Sequence, residues 1–518
     1  MATATASVSP ARATRLDSAW FETTLALVAA VLGWMANLSH GIDLTDEAWF
    51  LQVVTRVVHG NALYRDVFFG VTPLSVFLSQ GLAWIFGAQI LVVKGLMVGC
   101  VATIVWLAAR TARQVSSPSV ALVIVVLPLL IWYQPLPQSP YNCLTTTLYA
   151  ACLLLAVASL RASDGWCRWK LGAAAVCAGL CFATKHNGGA LALGALTVAT
   201  LAHAGSARVR LRTLGRVWCV FGIVAALCLL PVWLSGGFPA FLDYCVLNKP
   251  LYLRMAAIPY SDVCVAAITC LLRANVRDAF PYAPLVLPPL CLVLLLAAML
   301  RATPEQRRMG LALAAFAAGG FAFAYPKYNA SHLKHTMVAQ LVALAWAWHV
   351  LGRGRSGRSW RLAALGLPLL CVLGMLTIGD GSRLVAAGRQ VPQDTGPFAG
   401  ARLEAGMLRA VADCRAALQS DARRGVGRVF FASDRAAFWY LAMGLSNATP
   451  FDYPMATAFG RAGEGQVIDW IADRRIDAVV LDVRLLKSSL RPTQLVAYAE
   501  QHMRPGPVLP CGQVYYRQ

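Results

Sequence analysis

Apolar residues fall along this chain in repeated runs of membrane-spanning length, separated by short polar connections. Roughly twenty such residues in a helix cross the ~30 Å hydrocarbon layer, so each run is a candidate span. The first extends from Trp20 to Leu38. A polar loop at 39–73 follows, and within it Ala48 to Val58 has the spacing of a short amphipathic helix suited to a bilayer interface. From Thr72 to Ala109 the chain is apolar apart from a break at Gly87-Ala88-Gln89. Two crossings there would put Arg110 and Arg113 on the side of loop 39–73. One crossing, preceded by a half-buried or re-entrant piece from Pro73 to Phe86, puts them on the opposite side. The tendency of arginine and lysine to stay cytoplasmic favours the single crossing.

Further runs lie at about 118–133, 142–160, 170–185, 188–205, 217–235, 282–300, 309–325, 335–352 and 361–378. Basic clusters then fall on every alternate connection: Arg161/Arg168/Lys170, Arg208/Arg210/Arg212/Arg216, Arg301/Arg307/Arg308 and Arg353/Arg355/Arg358/Arg361. The expectation is about eleven transmembrane helices, with the N-terminus cytoplasmic and the C-terminus external. After Gly379 the pattern changes. β-like runs (Arg428 to Ala432, Asp477 to Val483, Gln513 to Tyr516) alternate with helical periodicity at Glu404 to Leu418, Gly465 to Ile471 and Thr493 to His502. The fold class expected is therefore an all-α polytopic membrane protein with a small C-terminal soluble α/β domain. Its parts are a cytoplasmic tail (1–18), a transmembrane domain (19–378) with first external loop 39–73, and an external domain (379–518).

Composition agrees with the pattern. The 518 residues are 58% hydrophobic and 13% charged, with a mean hydropathy of +0.59, whereas soluble chains carry roughly a quarter charged residues. The formal charge of +21 comes mainly from the inter-helix clusters. It reads as topology, not as a nucleic-acid stripe. Most of the fifteen cysteines lie inside apolar runs without metal-type spacing and serve as small packing residues. Cys414 and Cys511 lie in the C-terminal segment, and whether they pair is open at this stage. The first apolar run lacks a cleavage site and reads as a retained anchor.

Acidic residues are scarce and unevenly placed. Of 24, only eleven precede Gly379, and four of those (Asp43, Asp46, Glu47 and Asp66) share the loop 39–73. Carboxylates beside a bilayer are costly to desolvate, which makes this loop a candidate active site. Acidic residues also favour the first turn of helices, and Asp43 or Thr45 can cap the one that begins here. Lys185, His186, Lys327, His332 and His335 lie on turns facing the same side, with Lys249 and Arg254 as weaker candidates on the loop 236–280. Cations there can hold a phosphate. Oxygens from Asp43, Asp46, Glu47 and Asp66 are also of the type that binds a hard divalent ion, and the sequence leaves metal dependence open.

The order of motifs resembles the GT-C superfamily of integral-membrane glycosyltransferases. It is most like the branch that includes protein O-mannosyltransferases, the aminoarabinose transferase of lipid A, and bacterial galacturonosyl- and mannosyltransferases. The matching stretches are Asp46-Glu47 after the first span, Gly60 to Asp66 (G-x-x-x-Y-x-D), Thr72-Pro73-Leu74, Phe86-Gly87, Thr184-Lys185 with Gly188, and Pro326-Lys327 with His332. Thr72-Pro73 stands where many members have two prolines, so no subfamily follows. The resemblance implies single-displacement transfer, with inversion, from a polyprenyl-phosphate sugar donor to an acceptor on the external face of a bacterial inner membrane. The acceptor class (glycolipid, glycan or protein) stays open. It implies Asp46 as base, Glu47 orienting it or sharing a metal, and Asp66, Lys185, His186, Lys327, His332 and His335 binding substrate or donor phosphate. A lipid-linked-sugar transporter or flippase would instead place charges near the midplane and show related halves, which the sequence lacks. A non-catalytic envelope scaffold would leave the four-carboxylate loop without a purpose.

Overall fold

The computed structural model describes residues 19–38, 41–133, 139–162, 166–273, 275, 280–352, 390–422, 427–482 and 490–518. The expected tail at 1–18 and the expected run at 361–378 lie outside them. Four described helical stretches are long and apolar enough to cross a membrane: Ile90–Val115, Pro140–Leu160, Ala207–Leu234 and Tyr282–Arg301. With them pack Ala19–Leu38, Trp166–Thr184, His186–Leu201, Pro304–Ala322 and Met337–Leu351. The chain is an integral membrane protein.

The ambiguous stretch from Thr72 resolves into a 13-residue helix, Leu74–Phe86, and the 26-residue helix Ile90–Val115, parted by Gly87 at φ 87°. At about 1.5 Å per residue the shorter helix spans roughly 20 Å, less than the hydrocarbon thickness. At the far end of the longer one, Arg113 meets Glu22 at 2.7 Å and Arg110 meets it at 3.3 Å. Glu22 lies in the first turn of Ala19–Leu38. The two ends therefore share a face, as the single-crossing reading requires.

Two tight approaches set the helix hairpin at the Lys185 turn. A Cβ on Gly189 would lie 2.1 Å from the backbone nitrogen of Phe182, and one on Gly188 would lie 2.5 Å from the Thr145 methyl. Only glycine lets His186–Leu201 start so close to the helices before it.

Residues 236–280, expected as a long loop, are largely helical: Phe238–Leu242, Asp243–Leu247, Lys249–Ala256 and Tyr260–Leu272. The last exposes Val265, Ile268 and Leu272 along an apolar surface. At 13 residues this apolar helix is too short to stand out as a membrane-spanning run.

The C-terminal region forms a two-stranded pair, β1 (Gln390–Pro392) with β2 (Arg402–Glu404), and a four-stranded sheet. The sheet order is β3 (Val429–Ala432), β4 (Ala478–Leu481), β6 (Gly512–Arg517), β5 (Met503–Leu509). β3 and β4 are parallel and the other pairings antiparallel. Val-Phe-Phe-Ala and Ala-Val-Val-Leu are buried at every position, the signature of strands covered on both faces.

This region departs from the expectation in how it meets the membrane part. The apolar face of the helix Asp46–Val58 is covered by protein and shares one core with the C-terminal residues. Phe50, Leu51 and Phe69 pack in the same cluster as Phe438, Phe451 and Val480. Burying each such side chain contributes about 1.5–3 kcal/mol, so protein cover wins over a wet interface. Polar contacts fix the register. Arg56 pairs with Asp452 at 2.9 Å, Phe68 N donates to Pro450 O at 2.8 Å, and Asn248 Nδ2 donates to Thr457 O at 2.9 Å.

Candidate active site

The first loop separates its four carboxylates by task. Asp43 Oδ1 accepts from the backbone nitrogens of Thr45 (2.9 Å) and Asp46 (3.3 Å). The capping role open to the acidic residues thus falls to Asp43, and the Asp46 side chain is left for something else. Its Oδ2 accepts a 2.8 Å hydrogen bond from Ser139 Oγ, which arrives from the start of the helix Pro140–Leu160. Asp46 is half-buried and retains access to solvent. Burial raises its pKa above the ordinary carboxylate value and the nearby Asp43 adds to this, while the Ser139 bond and the charges of Lys327 and Lys185 pull it back.

Glu47 turns the other way. It is buried, 3.7 Å from Lys94 of the helix Ile90–Val115, and accepts from the backbone nitrogen of Asp43 at 3.1 Å. Lys94 in turn donates to Gly41 O at 2.6 Å. This pair clamps the loop to the membrane helices. Asp66 is also held elsewhere, accepting from Ala62 N at 2.8 Å and pairing with Arg65 at 2.9 Å. It closes the Gly60-to-Asp66 turn and does not join Asp46.

The lysines do converge on Asp46. Lys185 Nζ donates to Asn142 Oδ1 at 2.8 Å and lies 4.4 Å from the centre of the Phe323 ring. Burial, followed by repulsion from Lys249, lowers its pKa to about 7, and Lys327 adds to the repulsion. Lys249 donates to Gly70 O at 2.9 Å. Lys249 and Lys327 flank one aromatic ring, lying 5.3 and 5.2 Å from the centre of Tyr252. Lys185 and Lys327 lie near Asp46 and Lys249 lies near Lys185, a local excess of positive charge suited to an anion.

The histidines are drier than expected. His332 Nδ1 is 2.6 Å from Asn329 Oδ1, and its pKa is lowered to about 3 by burial and then by Lys185 and Lys327. A neutral imidazole there contributes hydrogen bonds, not charge. His335 is buried, with Nδ1 3.1 Å from Thr146 Oγ1. His186 sits beside Lys185 and Lys249, and its buried Nδ1 finds no hydrogen-bond partner among the described residues. Arg254 is exposed.

Of the four carboxylates considered for a metal, Asp46, Glu47 and Asp66 turn to Ser139, Lys94 and Arg65 and Asp43 to the backbone nitrogens of Thr45 and Asp46, so they do not share a centre. Among the described residues no group of three or more metal-ligating side chains comes together. These carboxylates present no shared donor set among the described residues.

Ser139, Asn142, Tyr252 and Tyr453 were not singled out by the sequence. Ser139 holds the N-cap position of the helix Pro140–Leu160 and Asn142 lies in its first turn, just after a stretch rich in proline, and that placement was their available signal. Tyr453 comes from the C-terminal region, lies with its ring tilted 5.5 Å from that of Trp49, and is close enough to Asp46 to be affected by its charge. Nothing in the local sequence marks it.

No family model matches the chain, and no curated protein matches its sequence. Its structure is similar to that of ArnT from Cupriavidus metallidurans bound to undecaprenyl phosphate. That likeness has a TM-score of 0.58 at 14% identity and covers 96% of this chain and 98% of that one. The same protein in the apo state gives a TM-score of 0.54 at 13% identity, covering 96% and 97%. The chain shares its fold with that ArnT structure over nearly its whole length.

Proposed function

We propose that this protein transfers a sugar from a polyprenyl-phosphate-linked donor to an acceptor hydroxyl on the external face of a bacterial inner membrane. The N-terminus is then cytoplasmic, the C-terminal domain periplasmic, and the acceptor a glycolipid, glycan or protein. The observation that carries the reading is the meeting of one raised-pKa carboxylate, Asp46, with the charges of Lys185 and Lys327. The full-length likeness to a structure containing undecaprenyl phosphate supports the donor class.

In this mechanism Asp46 accepts the proton of the acceptor hydroxyl as its oxygen attacks the anomeric carbon from the face opposite the phosphate. The bond from that carbon to the phosphate oxygen breaks, and the electron pair leaves with the phosphate. Lys185, Lys249 and Lys327 stabilise the charge that gathers there, and the configuration inverts. A base with a raised pKa is better matched to neutral pH than an ordinary aspartate. Ser139 holds the carboxylate in place, and Tyr453 and Tyr252 wall the cleft. The C-terminal domain, packed onto the same helix as Asp46, shapes which acceptor enters. Mass spectrometry of envelope glycolipids and glycoproteins from cells carrying wild-type protein or Asp46→Asn tests the assignment. A glycoform present with wild type and absent with Asp46→Asn, at equal protein level in the membrane, supports it. An unchanged glycoform profile removes Asp46 as base.

A further inference from the structure

We infer that Cys414 and Cys511 form a structural disulfide that fastens the first helix of the C-terminal domain to its last hairpin. The two residues are 97 positions apart, yet the backbone nitrogen of Cys511 lies 3.1 Å from Cys414 Sγ, and the two thiols hydrogen-bond to each other. Both side chains are buried. Cys414 sits midway along the helix Ala405–Ala422, and Cys511 in the turn between β5 and β6. That turn is held in place by Gly512, at φ +142°, where a Cβ would come within 2.4 Å of Leu481 O. Loop and helix thus hold the sulfurs together, and closure to a bond of about 2.05 Å requires little movement.

The other described cysteines with sulfur neighbours, Cys100 near Cys143 and Cys152 near Cys177 and Cys181, lie in the packed helices of the membrane part. Cys414 and Cys511 are outside the membrane segments. The inference rests on the proposed external placement of this domain, because disulfides persist in oxidising compartments.

The chemistry balances with an oxidant of the class of disulfide-bearing thiol oxidoreductases. One cysteine, as thiolate, attacks the oxidant's disulfide and expels one of its thiols. The second thiolate attacks the resulting mixed disulfide and releases the other thiol. The protein loses two electrons and two protons, and the oxidant's disulfide becomes a dithiol. Because both sulfurs are buried in the folded domain, the exchange takes place before the domain closes. The bond then ties down the sheet that backs Asp452 and Tyr453 against the helix of Asp46.

The test is acid trapping of cells making the full chain, alkylation under denaturing conditions without reductant, and peptide mass spectrometry. The expected result is a linked peptide pair containing Cys414 and Cys511 that disappears on reduction, with Cys511 alkylated in Cys414→Ser. Recovery of both wild-type cysteines as alkylated monomers overturns the disulfide. A parallel arm places a reporter at the exposed Val508 by Val508→Cys in a Cys414→Ser/Cys511→Ser background. It is probed on spheroplasts with a membrane-impermeant maleimide. Labelled reporter with unlinked wild-type cysteines rejects the disulfide alone, whereas unlabelled reporter rejects the external placement and the disulfide with it.

Discussion

Replacing Arg56 with methionine removes the cation that joins the Asp46 helix to the C-terminal domain. Arg56 pairs with Asp452 at 2.9 Å and donates to Thr449 O at 2.8 Å and Asp66 O at 2.7 Å. Asp452 is fully buried and also accepts from Gln52 (3.3 Å) and Asn447 (3.0 Å). Deleting one partner of a buried pair costs about 3–5 kcal/mol, chiefly because the remaining charge stays desolvated. At 1.4 kcal/mol per factor of ten, the docked arrangement is weakened on the order of a hundredfold or more. The two remaining amide donors offset part of this loss, so the lower end of the range applies. Thermal unfolding of purified protein in detergent, together with limited proteolysis at the junction, measures it. Arg56→Met is expected to melt lower and to release the C-terminal domain faster, and Arg56→Met/Asp452→Leu to recover part of the loss. An Arg56→Met protein that melts and resists protease like wild type refutes the clamp.

Lys185 loses its charge as pH rises through about 7 in the free protein. In the proposed reaction its cationic form binds the donor phosphate, so kcat/KM should fall on the alkaline side of that value, and Lys185→Gln should remove this limb along with most of the activity. A flat profile in wild type contradicts the role. Ser139→Ala removes the hydrogen bond that lowers the Asp46 pKa, so the acid limb of the rate profile should move to higher pH and the rate should fall by roughly tenfold. That corresponds to a hydrogen bond to a charged group worth about 1.5 kcal/mol. Gly189→Ala should prevent stable expression because its Cβ would meet the Phe182 backbone, whereas Gly194→Ala, where the space is open, should be neutral. Fluorescence size-exclusion chromatography of tagged protein distinguishes the two.

What the sequence made legible follows from which forces are local. Membrane runs and glycine turns show in the sequence because hydropathy and backbone freedom are properties of a few adjacent residues. The loop carboxylates stood out for the same reason, through their scarcity. Their division of labour did not, because Glu47 finds Lys94 across 47 positions and Asp46 finds Ser139 across 93. Tyr453 was invisible for a related reason, since its place beside Trp49 depends on how the C-terminal sheet packs on the first loop. Amphipathic spacing in Ala48 to Val58 was read correctly as helix, but the pattern could not say whether lipid or protein covers the apolar face. Likewise the histidines share a face with the lysines, yet burial leaves His332 neutral, and burial is a tertiary property.

The central claim is that Asp46 takes the acceptor's proton. Release of polyprenyl phosphate from a panel of polyprenyl-phosphate sugars, by purified protein in proteoliposomes containing envelope extract as acceptor, tests it most directly. Asp46→Asn should bind donor with near wild-type affinity and release polyprenyl phosphate about 10²–10⁴-fold more slowly, the range contributed by a general base. Wild-type release by Asp46→Asn contradicts the account.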